Sequence, residues 1–305
     1  MKFAKRTLLF IAVNILVVLT IHLVLSLLGL NLRFRGHNYE ALMLGCLVWG
    51  MGGAFISLAI SRWMAKMFMG VQVVDPRTDD PELRELVRMV HTMAQRARLP
   101  AMPEVGIYDS PEVNAFATGP SRSSSLVAVS TGLLRSMNRS QVEGIIGHEV
   151  AHIANGDMVT MTLIQGVINA FVLFLARVVA FFVAQAMRSR DDERGGGWIE
   201  WILVWVFEIV FGILGALVVN WFSRWREFRA DAGGAQYAGR AEMISGLRAL
   251  QQIHAQAAAG GVAPTHDTSG FQSLKISNDS PAWLHLFATH PPLDDRIARL
   301  EQRAS

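Results

Sequence analysis

The pentapeptide His148-Glu149-Val150-Ala151-His152 is the stretch whose residue types and spacing carry chemistry most directly. On a helix, positions four apart share one face about 6 Å apart, so both imidazoles reach one metal ion. Glu149, beside the first of them, then reaches a water on that ion. This H-E-x-x-H spacing is the arrangement that holds zinc and activates water for hydrolysis. A catalytic zinc takes three protein ligands and keeps its fourth position open. Residues 155–159 read Asn-Gly-Asp-Met-Val, without the further histidine of the longer H-E-x-x-H-x-x-G-x-x-H pattern. A glutamate is then the expected third ligand. Glu227 is the candidate, because Asp231 follows one helical turn later and can accept a hydrogen bond from a ligand imidazole. His290 precedes Pro291-Pro292, a rigid turn able to hold its imidazole towards the metal as an oxyanion stabiliser. Arg296, six residues on, can orient His290 or the substrate. The alternatives are a surface salt bridge for Glu227, a helix-surface carboxylate for Asp231 and a plain loop imidazole for His290.

These side chains need elements to position them. Ser140-Gln141-Val142-Glu143 reads as a capping box, which predicts a helix from about Gln141, and Asn155-Gly156 supplies its stop. Upstream, Asp79-Asp80-Pro81 signals a helix start, and Leu83, Leu86, Val87, Val90 and Met93 give it one apolar face to about Arg98. Residues 104–108 and 125–130 read as short strands, with Asn114-Ala115-Phe116 between them on a possible edge strand. Leu133 begins the run-in to the next helix. The mixture predicts an α+β domain, mostly helical with a small sheet.

The chain around this domain is too apolar for a soluble protein. Of its 305 residues 51% are hydrophobic and only 17% charged, against about 25% charged in an ordinary soluble domain. Disorder, collagen and a disulfide scaffold are excluded by the same composition, and Cys46, the single cysteine, has no intramolecular partner. A net charge of +3 without aromatic-interleaved basic blocks argues against nucleic acid, and no phosphate-cradling glycine loop argues for a nucleotide. Residues 8–30 carry no formal charge and cover roughly 34 Å as a helix, enough to cross the hydrocarbon core. Residues 41–60 form a second uncharged run whose glycines 45, 50, 52 and 53 suit close helix packing. Two further runs, 159–187 and 198–222, contain Arg177 and Glu208, a plausible pair across a hairpin. The linker 188–197 reads as a solvated turn, and the tryptophans near these runs as a membrane-interface belt. The expected division is 1–61 as two transmembrane helices, 62–158 as the first part of a catalytic domain, 159–222 as a transmembrane hairpin and 223–305 as the second part. The Ala/Gly-rich stretch 255–270 reads as a surface loop. Lysine and arginine counted near the ends of the runs place the soluble parts in the cytoplasm. An even number of crossings between His152 and Glu227 keeps both on one side of the membrane.

The motif set resembles one family. H-E-x-x-H followed by Asn155-Gly156-Asp157, then Glu-x-x-x-Asp after an apolar hairpin, with Asn-Ala-Phe upstream and Thr289-His290-Pro291-Pro292 downstream, is similar to the HtpX-type membrane metalloproteases, relatives of the type I CAAX prenyl protease. The resemblance runs over essentially the whole chain, including Arg296-Ile297-Ala298-Arg299-Leu300. It implies a zincin-like fold with one Zn²⁺ per chain, and an ATP-independent endopeptidase of the bacterial inner membrane facing the cytoplasm. The activity it implies is quality control, with damaged membrane proteins among the polypeptide substrates. By analogy with the prenyl protease, His290 and Arg296 line the site and Asn114 sits on the strand that pairs with an extended substrate. The rival readings are a zinc-stabilised adaptor that cleaves nothing, a transporter using Arg177 and Glu208, and a CAAX-type prenyl-peptide protease.

Overall fold

A computed structural model describes residues 33–34, 37–187, 197–259 and 290–302. The predicted span 8–30, most of the linker 188–197 and residues 260–289 lie outside them. In chain order the elements are β1 (Arg33–Phe34), β2 (His37–Asn38), α1 (Tyr39–Phe68), β3 (Gln72–Val73), α2 (Pro81–Arg96), β4 (Glu104–Tyr108), β5 (Ala115–Ser121), β6 (Ser124–Ser130), α3 (Thr131–Ser136), α4 (Arg139–Asn155), α5 (Asp157–Met187), α6 (Gly197–Tyr237), α7 (Arg240–Ala259) and α8 (Leu293–Gln302). The chain divides into two compact units. Met1–Ile56 with Thr162–Val219 supply one, and Ser57–Met161 with Asn220–Ser305 the other.

The first unit is apolar. Its helices belong to three, among the described residues, that are long and apolar enough to cross a membrane, over Ala41–Phe68, Asp157–Met187 and Trp198–Tyr237. The 31 residues of α5 extend about 46 Å, more than the roughly 30 Å of hydrocarbon. Helix α1 meets α5 at Gly50, where an added Cβ would lie 2.6 Å from the Ala170 nitrogen. Cys46, Phe174 and Val178 bury themselves beside this contact. Of the four glycines expected to pack, Gly45, Gly52 and Gly53 face open space. Arg177 and Glu208 do meet across the hairpin, with Nη1 and Oε1 2.9 Å apart. The same Nη1 donates to the Leu173 carbonyl at 2.8 Å. Trp198, Trp201 and Trp205 stay exposed, as aromatic anchors do.

The second unit holds an α+β arrangement around a four-stranded sheet of order β3-β4-β6-β5. β4 and β6 run parallel while the outer pairs are antiparallel. Alternation sorts the sheet into two faces. Val105, Val127 and Val129 turn towards α2 and α4 and join Val90, Ile146, Val150 and Ile153 in one core. Leu126, Ala128 and Tyr108 turn the other way and pack with Ala65 and Val71. Strand β5 is one of the two edges, starting one residue after Asn114 and carrying Ala115 and Ala117 towards the α4 side.

Local chemistry sets the helix limits. Asp80 caps α2 through the Glu82 and Leu83 nitrogens, at 2.9 and 3.2 Å, with Pro81 in the first turn. The capping box of α4 lies two residues before the expected one. Asn138 is the cap, its side chain accepting from the Gln141 nitrogen at 3.1 Å while Gln141 Oε1 accepts from the Asn138 nitrogen at 2.9 Å. The Asn/Gln pair does the work assigned to Ser140 and Glu143, and Glu143 instead pairs with Arg139 at 3.1 Å. The far end of α4 stops as expected at Gly156, whose left-handed φ of 68° suits glycine. Helix α6 does not end with the apolar run at 222 but continues to Tyr237. Helix α7 extends to Ala259, so residues 255–259, read as loop, are helical.

Candidate metal centre

Helix α4 presents His148 and His152 on one face, and α6 brings Glu227 and Asp231 to it. The two helices approach closely because both are bare at the crossing. A Cβ on Gly234 would lie 3.0 Å from the His148 nitrogen, and one on Gly147 would lie 2.8 Å from the Ala238 methyl. Glu227 is fully buried, and His148 and His152 nearly so, at 7% and 8% exposure. His148 Nε2 lies 3.1 Å from His152 Nε2. Glu227 Oε2 is 3.2 Å from the former and Oε1 3.3 Å from the latter. A tetrahedron with metal–ligand bonds of about 2.0 Å has edges of about 3.3 Å. The three side chains thus stand at the spacing of a four-coordinate cation's ligands, and among the described residues they are the group that can hold one.

The outward nitrogens support this reading. His148 Nδ1 is 2.9 Å from Asp231 Oδ1, and His152 Nδ1 is 2.8 Å from Asp157 Oδ2. With each Nδ1–H donating to a carboxylate, both Nε2 lone pairs point inward at one another and at Glu227. Neither oxygen of Glu227 accepts an aligned hydrogen bond. Two facing lone pairs and a buried carboxylate repel unless a proton or a metal cation lies between them. The donor set of two imidazoles and one carboxylate therefore fits a metal ion.

Further groups brace these carboxylates. Arg296, buried on α8, donates Nε and Nη2 to Asp231 at 2.8 and 2.6 Å. Arg229 Nη2 donates to Asp157 Oδ1 at 2.5 Å and its guanidinium stacks 4.9 Å from the Trp225 ring centroid. His290, more than half exposed, places Nδ1 2.9 Å from Glu227 Oε2. Burial raises Asp231, but the hydrogen bonds from Arg296 and His148 outweigh it and bring the carboxyl down to about 2. Burial likewise raises Glu227, yet the charge of His290 and the imidazoles of His148 and His152 hold it well below the usual carboxylate range. For His148 the order reverses: burial lowers it, and the hydrogen bond to Asp231 and the Glu227 carboxylate beside it push it up to about 9.

Comparison with known proteins places the chain in a family. Residues 81–304 match the family described as peptidase family M48. The chain belongs to peptidase family M48. It is 50% identical over 302 residues to a "Protease HtpX homolog" of Methylacidiphilum infernorum, covering 98% of each chain. It is 46% identical to the "Protease HtpX" of Idiomarina loihiensis, over 98% of this chain and 99% of that one. To a "Protease HtpX homolog" of Bacillus subtilis it is 48% identical, over 98% of this chain and all of the other. The crystal structure of S. mikatae Ste24p is similar in fold, with a TM-score of 0.57 and 16% identity. That similarity covers 88% of this chain but 59% of the solved one. The M48 chain is thus a metallopeptidase whose described residues include helices long and apolar enough to cross a membrane, and the resemblance read from its motifs holds.

In this M48 peptidase the sequence-predicted residues fall as follows. His148, His152, Glu227, Asp231, His290 and Arg296 converge in the second unit. Glu149 is half-buried on α4 between His148 and Val150. Asn114 lies just before edge strand β5, its backbone nitrogen bound to Ser130 Oγ at 3.1 Å. Arg296, expected to orient His290 or the substrate, bonds Asp231 through Nε and Nη2 and brings Nη2 within 3.3 Å of His148 Nδ1. Two groups escaped sequence reasoning, Asp157 and Arg229. Asp157 was visible as part of Asn-Gly-Asp, but its reach back to His152 depends on the left-handed turn at Gly156.

Proposed function

We propose that this chain is a zinc-dependent endopeptidase of the bacterial inner membrane, cutting misfolded or damaged membrane and cytosolic polypeptides in protein quality control. Residues 62–158 and 223–305 form the catalytic part on the cytoplasmic side, carried by the apolar segments 8–30, 41–60 and 159–222. The observation that carries the reading is the convergence of two imidazoles and one buried carboxylate within 4.8 Å of one another. The protease names of the relatives, at about half identity over nearly the whole chain, support it.

His148, His152 and Glu227 would hold Zn²⁺, which when bound lowers the pKa of a water to about 7 and polarises the scissile carbonyl. Glu149 takes the proton of the attacking water and passes it to the leaving amine. Its place next to His148 on the same helix turn brings it within reach of that water. His290 donates to the oxygen on which charge develops. Asp231, held by Arg296, fixes the His148 ring. Edge strand β5, beginning after Asn114, offers unpaired backbone groups to an extended polypeptide.

The test is cleavage of an unfolded model polypeptide by the detergent-solubilised protein with added Zn²⁺, wild type beside Glu149→Gln. The expected result is one zinc in each and a loss of about 10²–10⁴-fold in rate in the variant. If both bind one zinc and neither cleaves, the site is structural and the chain a membrane adaptor.

A further inference from the structure

The order at His148 is repeated, from different parts of the chain, at His152. We infer that Asp157 and Arg229 are positioning residues for the second imidazole of the site, acting as a two-step brace: Asp157 sets the His152 tautomer and ring angle, and Arg229 sets Asp157. The inference rests on the proposed zinc site.

Asp157 is 1% exposed. Its two oxygens are divided between two partners, Oδ2 to His152 Nδ1 at 2.8 Å and Oδ1 to Arg229 Nη2 at 2.5 Å. A carboxylate this deep is costly unless paired and hydrogen-bonded. It is retained at the first position of α5, where ordinary capping would need no such partners. Arg229, more than a third exposed, also sets its guanidinium over the Trp225 ring. A ligand imidazole that donates its second N–H to a fixed carboxylate keeps its other lone pair aimed at the metal, and loss of such a partner typically lowers metal affinity 10–100-fold. The brace also differs from its counterpart in origin. His148 is held through Asp231 of α6 and Arg296 of α8, whereas His152 is held through the first residue of α5 and through α6.

The experiment uses the full-length protein in detergent. Zn²⁺ affinity is measured by competition with a chelating dye for wild type, Asp157→Asn, Arg229→Gln and the double variant, and each is also loaded with Co²⁺ for its visible absorption spectrum. Asp157→Asn is expected to bind zinc 10–100-fold more weakly and to shift the cobalt bands. Arg229→Gln is expected to do the same by a smaller factor, and the double variant to lose no more than Asp157→Asn alone. Zinc affinity and cobalt spectrum unchanged in Asp157→Asn would overturn the inference. Additive losses in the double variant would overturn the part assigned to Arg229. Should Asp157→Asn not fold, Arg229→Gln decides alone, with weakened binding supporting the brace and unchanged binding overturning it. A wild type that binds no zinc fails the proposed zinc site itself, a result distinct from these.

Discussion

At Asp231 the competition between burial and hydrogen bonding has a measurable sign. The carboxyl is brought down to about 2 in the folded chain, below the ordinary value of about 3.9. Its contribution to stability is therefore fully present above about pH 4 and fades as pH falls towards about 2, with a size on the order of 2 kcal/mol. In chelator, the stability gap between wild type and Asp231→Asn should shrink over that window, followed by denaturant unfolding at each pH. A gap that stays constant would show that Asp231 acts by packing alone. His148 runs the other way. Held up to about 9, its proton stabilises the metal-free fold most fully below about pH 6.5 and is lost as pH rises through about 9. A cation must displace that proton, so zinc affinity should rise with pH over the same window, by up to tenfold per pH unit for one proton. Chelator competition at several pH values measures it.

The elements meet at bare crossings, and those crossings are where substitution should tell. Gly234→Val would drive a side chain into the His148 backbone and push α6 off α4. The expected cost is about 1–3 kcal/mol of stability, with a loss of zinc affinity in the same variant, read by thermal unfolding and chelator competition. Gly156→Ala strains the turn at φ 68° and should cost about 1 kcal/mol. Much of this arrangement was legible in the sequence. The pitch of α4 follows from His148 and His152 four apart, its end from Asn155-Gly156, the start of α2 from Asp80-Pro81 and the central strands from short apolar runs. All are local signals, fixed by neighbours a few residues away. What escaped depends on long-range geometry. The α4 cap could be Asn138 or Ser140 by residue type, and only the core contacts of Val142 and Ile146 choose the frame. Helix α7 buries Met243, Leu247 and Ala249, an apolar stripe interrupted by small residues and too thin to stand out. Whether Arg296 faces substrate or Asp231 is decided by α8 docking Ile297 and Leu300 on α7, a contact with no sequence signature.

For the whole molecule the apolar unit carries its own polar fastening. Arg177 and Glu208 join α5 to α6 with a 2.9 Å contact, and a charge left alone there is poorly solvated. Glu208→Gln should lower thermal stability in detergent by on the order of 1 kcal/mol, and exchanging the two residues should restore most of it. The proposed orientation is testable because Cys46 is the one cysteine. In a Cys46→Ala background, single cysteines at the exposed positions Glu112 and Ala241 should resist a membrane-impermeant maleimide in intact spheroplasts and react once the membrane is opened. Labelling before permeabilisation would invert the orientation. The route of the chain through the site also sets a timetable. His148 and His152 leave the ribosome first, Glu227 follows only after α5 and the apolar length of α6, and Arg296 comes later still. On the proposed zinc site, the hydrolytic centre is therefore completed only when its own hairpin has been made, and a half-synthesised chain holds two of its three ligands.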